Sequence, residues 1–158
     1  MRGYLFPSST ANRPERGRKT MAYSANLSKL SYKVGNGAFA ELEHLMEIPE
    51  LGGTPEKIDV TTLSDKTKKY IPGTKDYGDL VFKFLYDNTG ATANYRILKN
   101  MDDAGTTATF KIAYPDGTSH QFDAIPSVKL DAGAINGALT FSATMLLQSE
   151  IEITNPTA

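Results

Sequence analysis

Leu80-Val81-Phe82-Lys83-Phe84-Leu85-Tyr86 places Leu80, Phe82, Phe84 and Tyr86 on one side of an extended chain and Val81, Lys83 and Leu85 on the other. A period of two with the aromatic set on one side predicts a strand whose bulky face lies against a core. Downstream, Thr106 to Phe122 repeats the pattern: Ala108, Phe110, Ile112 and Tyr114 share a face. Pro115, Asp116 and Gly117 then supply a turn, and the return run through His120 and Phe122 completes a hairpin. Leu139 to Leu147 alternates Leu139, Phe141, Ala143, Met145 and Leu147 with small polar residues, and Lys57 to Leu63 is rich in Val, Ile and Thr. Both read as strands. Glu41 to Ile48 fits a strand through Leu42, His44, Met46 and Ile48, and a helix through Phe39, Leu42, Leu45 and Met46. Pro49 and the Gly52, Gly53 pair end it within one strand length and favour the strand.

Only Gly90 to about Asp102 reads as a helix, with Ala91, Tyr95, Leu98 and Met101 on one face. Asn88 or Thr89 is placed to cap its start, and Gly105 lies just past its end. The expected fold class is mostly β: a two-sheet β-sandwich with one flanking α-helix and a long inter-strand loop, Ser64 to Asp79.

At 158 residues the chain has the length of one domain. Arg2, Arg13, Arg16, Arg18 and Lys19 against Glu15 give residues 1–20 a charge of +4, which leaves −5 for the rest of a chain whose net charge is −1. The first segment, with Pro7, Pro14 and Ser8-Ser9-Thr10, lacks apolar periodicity and is expected to be a basic disordered extension. Equally, Met21 is placed to be an alternative start. Residues 21–158 are then the folded domain, with flexible terminal arms. Its acidic balance argues against broad binding to phosphate backbones. Without cysteine there is no disulfide, thiolate metal site or cysteine nucleophile. No signal-peptide pattern and no run near the ~20 apolar residues of a membrane span is present, so synthesis in the cytoplasm and no membrane partner are expected.

A catalytic constellation of nucleophile, base and orienting group is not visible. His44 and His120 are the only histidines, both on expected strands beside apolar residues, where structural roles are the default. Asp65-Lys66-Thr67 resembles an aspartyl nucleophile loop but lacks the glycine that such a loop needs. Gly52-Gly53-Thr54-Pro55-Glu56-Lys57 lacks the glycine-lysine-serine/threonine ending of a phosphate loop. Asn26-Leu27-Ser28 matches a glycosylation acceptor without a secretion signal. Lys66, Lys68, Lys69 and Lys75 with Tyr70 and Tyr77 offer a nucleic-acid patch, but Asp65, Asp76 and Asp79 nearly cancel its charge. No catalytic residue, cofactor or metal is therefore assigned. The length of the Ser64 to Asp79 loop, with no chemistry in it, points instead to a contact surface.

The stretch Ile48-Pro49-Glu50-Leu51-Gly52-Gly53-Thr54-Pro55-Glu56-Lys57-Ile58-Asp59-Val60-Thr61-Thr62-Leu63 closely resembles the tail tube, or major tail, proteins of long non-contractile-tailed bacteriophages. The likeness continues through Tyr70-Ile71-Pro72-Gly73, Asp76-Tyr77-Gly78-Asp79-Leu80-Val81-Phe82, the helix and the terminal strands, from about Gly37 to Ile153. The resemblance implies a non-enzymatic structural subunit of the virion tail. Its sandwiches would assemble as six-membered rings stacked into a tube through which DNA passes without specific binding. A strand from each subunit would join its neighbours' sheets. It implies tape-measure, tail terminator and distal tail proteins as partners. It assigns ring stacking to the long loop, and hence to Lys66, Lys68, Lys69, Tyr70, Ile71, Pro72, Lys75 and Tyr77. A basic N-terminal extension departs from the family's pattern. The chain stops at Ala158 without the immunoglobulin-like domain some members carry, so an adhesion role is not expected. A related secretion or bacteriocin-type tube and, more remotely, a monomeric carbohydrate-binding sandwich are the alternatives; the absence of Trp weighs against the last.

Overall fold

A computed structural model describes Gly3 and residues 22–157, so the proposed basic extension and the Met21 start lie outside the described residues. Among the described residues ten strands and one helix follow in the order β1 (Lys29–Lys33), β2 (Ala40–Leu42), β3 (Leu45–Glu47), β4 (Thr54–Asp59), β5 (Tyr70–Asp76), β6 (Leu80–Leu85), α1 (Asn94–Ala104), β7 (Ala108–Ala113), β8 (Ser119–Leu130), β9 (Thr140–Leu147) and β10 (Glu152–Thr154). The large sheet is antiparallel with the order β2-β1-β7-β8-β9-β6-β3, and β10 also pairs with β8; β4 and β5 form a separate two-stranded sheet.

Two layers arise because β8 is long enough to serve both. Ser119 to Ala124 pairs with β7, whereas Ala124 to Leu130 pairs with β9. Through the β8–β9 and β9–β6 registers, Phe82 lies level with Val128, six residues along β8 from Phe122. In a flat sheet six residues span ~20 Å. The two rings are nevertheless stacked with centroids 6.3 Å apart. The sheet therefore folds over itself with β8 turning the corner, and its aromatic residues meet across the interior as in a sandwich.

The core is the set the alternation predicts. Leu80, Phe82, Phe84, Phe110, Ile112, Phe122, Phe141, Ala143 and Met145 are buried, and Leu30 and Leu42, register partners on β1 and β2, join them. Tyr86 packs at the margin just past β6, Leu147 is partly buried, and Leu139 is exposed. Glu41 to Ile48 is extended, as expected, but it is two short strands broken at His44, whose φ of 64° bends the chain between β2 and β3. His44 is thus not a strand residue, whereas His120 is.

The helix closes an open side. It starts at Asn94 rather than Gly90, and Ala93 stands at its N-cap without a side-chain cap bond. Thr89 is occupied elsewhere, its backbone N–H and hydroxyl both donating to Asp87. At the other end Gly105 adopts the left-handed conformation, φ 62°, and the Thr106 N–H donates to the Met101 carbonyl at 3.0 Å. A side chain is disfavoured in that conformation, which is why glycine ends the helix. Leu98 and Met101 are buried, and Tyr95 meets Phe141 edge-on at 5.3 Å. β8 runs beyond the end of β7 here, and Asp102 Oδ2 accepts from the Val128 N–H at 3.1 Å, supplying a partner to the strand's open edge.

Asn94 is the polar pin of this arrangement. Only 3% exposed, it donates through Nδ2 to the carbonyls of Glu43 at 2.9 Å and Leu85 at 3.0 Å. It thereby ties the helix start to the β2–β3 link and to the end of β6. Replacing it with alanine removes the donor from two carbonyls whose hydrogen bonds are partly buried. We expect Asn94→Ala to cost about 2–3 kcal/mol, read from the urea midpoint at unchanged m-value. A loss below about 0.5 kcal/mol contradicts the pinning role.

Candidate assembly surface

The segment expected to be a long loop is in large part a strand. Tyr70 to Asp76 pairs antiparallel with Thr54 to Asp59, with Asp59 opposite Tyr70, Ile58 opposite Ile71, Lys57 opposite Pro72 and Thr54 opposite Asp76. The expected Lys57 to Leu63 strand accordingly begins earlier and stops at Asp59. A register shift between Pro55 and Lys57 accommodates the proline, which has no N–H for the ladder. Both strands of this hairpin are edges, so Pro55 and Pro72 forfeit little. At the root the backbone comes close to its neighbours: a Cβ on Gly53 would stand 3.0 Å from Lys75 Cβ and 3.2 Å from the Tyr77 ring.

Of the eight residues assigned to ring stacking, Tyr70, Ile71, Pro72 and Lys75 are on β5, and Tyr77 follows it at the root. Lys66, Lys68 and Lys69 are in the connection, residues 60–69, at the far end of the hairpin. They are therefore split between a tip and a base. Ile58 and Ile71, opposite each other, are each about half exposed; Tyr70 is similarly exposed on β5, and Leu63 at the tip is fully exposed. Ile58 and Leu63 are contact candidates absent from the sequence-based set. A cross-strand isoleucine pair is the signal for the former, and it becomes readable only once the register is known.

The tip is held by hydrogen bonds rather than burial. The Asp65 carboxylate is ion-paired with Lys69 and accepts from the Thr62 N–H and hydroxyl, both at 2.9 Å. The Lys69 ammonium first, and then the Thr62 donors, hold its pKa below the usual carboxylate range. Asp59, accepting from the Thr61 hydroxyl and N–H, is lowered likewise. The connection is a hydrogen-bonded tip with a surplus of positive charge: Lys69 is paired with Asp65, Lys66 and Lys68 have no ion-pair partner among the described residues, and Asp76 and Asp79, expected to cancel them, lie at the root of the hairpin.

The root rests against the sandwich. A cavity of about 170 Å³ lies between Lys75 and Tyr77 on one side and His120, Ile151 and Ile153 on the other. Burial lowers the His120 pKa, and Nδ1 has no hydrogen-bond partner among the described residues. Among the described residues no group of three or more His, Cys, Asp or Glu is arranged to hold a metal ion, and no helix is long and apolar enough to cross a membrane.

A corner-folded antiparallel sandwich with one plugging helix and a separate hairpin is a tail-tube sandwich by its fold. It aligns with a chain of the anti-feeding prophage baseplate, solved with six-fold symmetrisation, at a TM-score of 0.69 and 14% identity over 86% of this chain and 97% of that one. A chain from the tail of an empty gene transfer agent particle, refined helically with C6 symmetry, gives 0.67 and 17% over 84% and 99%. One from the native gene transfer agent virion gives 0.58 and 18% over 79% and 95%. No curated protein matches the chain. The chain belongs to the family described as Phage tail tube protein, TTP, which matches residues 16–155. It is a structural subunit of a phage tail tube, and its place is the virion tail.

Proposed function

We propose that this subunit polymerises by itself into six-membered rings that stack into the tail's DNA conduit, and that it does so without catalysis or cofactor. The observation that carries the reading is the β4–β5 hairpin. Half-exposed Ile58, Ile71 and Tyr70 stand on a two-stranded sheet that pairs with no other strand among the described residues, and a bare Leu63 stands in the connection at its tip. An isolated hairpin is marginal in water, and apolar residues held out on one mark a contact site. The similar chains come from assemblies with six-fold or C6 symmetry, which supports the ring number.

In this reading residues 21–158 are the tube domain and residues 1–20 an appended basic arm. Hairpins reach across to the adjacent ring, placing Lys66, Lys68, Lys69, Tyr70, Ile71, Pro72, Lys75 and Tyr77 at or beside the stacking contact. Head-to-tail contacts close each ring and repeat along the axis, the heterologous geometry that yields rings and stacks. Tape-measure, terminator and distal tail proteins meet the tube's ends and lumen, and DNA passes without base-specific contact. Negative-stain imaging of purified protein is the test: rings of about 6 subunits or tubes of uniform width are expected. A monodisperse monomer at concentrations of tens of micromolar contradicts the reading.

A further inference from the structure

The three residues of β10 pair with β8 alone among the described residues, and the middle register pair sets Ile153 opposite His120. On its other side His120 is opposite Ile112 of β7, which is fully buried. Residues opposite one another share a face, so the imidazole is turned inward, to the cavity it lines with Ile151, Ile153, Lys75 and Tyr77. Tyr114 meets the ring edge-on at 5.2 Å.

These surroundings suit a neutral imidazole. The neutral ring carries one N–H, and protonation makes both nitrogens donors. Nδ1 is buried and has no hydrogen-bond partner among the described residues, so an N–H there finds no acceptor. Nor does the cavity supply a counter-charge: its other ionisable groups are Lys75, a cation, and Tyr77, a phenol. Asp116, two residues beyond Tyr114, accepts from the Thr118 N–H and hydroxyl. Glu150 and Glu152 line a separate cleft with Gln121 and Asp123, and Asp76 and Asp79 line another. Burial accordingly holds the His120 pKa below the ordinary imidazole value of 6.5.

We propose that β10 is an acid-released strap: protonation of His120 frees Ile151 to Thr154 from β8 and withdraws one wall of the cavity on which the hairpin root rests. The device belongs to the single subunit and does not depend on the tube-forming reading. The closed form disfavours the imidazolium, whereas the released form opens the ring to water and takes up the proton at its ordinary value. Closure is therefore fully present above about pH 6.5 and is lost as pH falls below it, until the closed form protonates as well. One proton limits the slope to about tenfold in the opening equilibrium per pH unit. A three-residue edge strand opens far more readily than the core, so this stretch responds to acid first.

The test is amide hydrogen exchange, read by mass spectrometry on dilute, monomeric full-length protein and corrected for the pH dependence of amide chemistry. Protection of residues 151–154 is expected to fall roughly tenfold from pH 7 to pH 5, while protection in β9 holds steady. His120→Phe keeps an aromatic ring against Tyr114 and cannot take up a proton, so its strap should stay closed over the whole range. His44→Gln should behave as the wild type. Exchange of the His120 ring C2 proton is expected to titrate lower in the native protein than in urea.

A wild-type strap whose protection does not change, or one that opens equally in His120→Phe, overturns the proposal. If His120→Phe does not fold, the ring titration decides. Identical values in native and urea-unfolded protein overturn the strap, and a lower native value with strap opening over the same pH range upholds it.

Discussion

Phe122→Ala is expected to destabilise the folded subunit by about 3–5 kcal/mol, the range for truncating a buried phenylalanine. Phe122 is 1% exposed and stacks on Phe110 of β7 at 6.0 Å and on Phe82 of β6 at 6.3 Å. It sits just before the point where β8 passes from one layer to the other, so no single strand can move to fill the space it leaves. Collapse would require the layers to approach, and the continuous ladder through β8 and β9 resists that. Lost transfer energy and an unrelaxed cavity therefore both contribute. Domains of this size have about 5–15 kcal/mol in total, so the variant should lose a large part of its margin and melt on the order of 10 °C lower.

The comparison that isolates the cause is Val81→Ala. Val81 is on the same strand as Phe82 but on its outer face, 41% exposed, where ~1 kcal/mol or less is expected. Urea unfolding of the two variants beside the wild type decides the matter. If Phe122→Ala costs no more than Val81→Ala, the corner of β8 is not where the layers are joined.

What the sequence revealed and what it hid divide along a physical line. β6, the β7–β8 turn and β9 were legible because each presents one apolar face to a core, and alternation records that directly. Leu98, Met101 and Gly105 marked the helix for the same kind of reason. Its start was misplaced because Thr89 bonds to Asp87 and not to the helix, while Asn94, the first helical residue, spends its side chain on distant carbonyls. β4 was legible only in part, as Lys57 to Leu63, and β5 was hidden, because neither buries a face: without a core, alternation has nothing to record, and Pro55, Pro72 and Gly73 read as loop. The continuation of β8 past Phe122 was hidden for a related reason, since Pro126 looks like a stop. It is buried within the strand and tolerated there in spite of its missing donor. The positive φ of His44 left no sign at all.

That same division shapes the expectation for the hairpin. Lys57 and Pro72 face each other in the β4–β5 register, so residues 58–71 can be exchanged for an Asn-Gly turn without moving the root. None of the excised residues is buried, and none belongs to the core cluster. The shortened monomer is expected to melt within a few degrees of the wild type. Ring stacking should nevertheless fail, because Ile58, Leu63, Tyr70 and Ile71 are removed together. If each hairpin contributes even ~1.4 kcal/mol to an axial contact, six copies acting in concert contribute about 8 kcal/mol between rings, a factor near 10⁶ in association. Electron microscopy of the variant should show single rings or short stacks in place of tubes. Tubes of normal length would remove the hairpin from the axial contact. A large fall in monomer stability would show that the hairpin is part of the fold it only abuts here. Loss of stacking with an intact monomer is the outcome expected of a segment whose apolar residues are left uncovered by the described residues of their own chain.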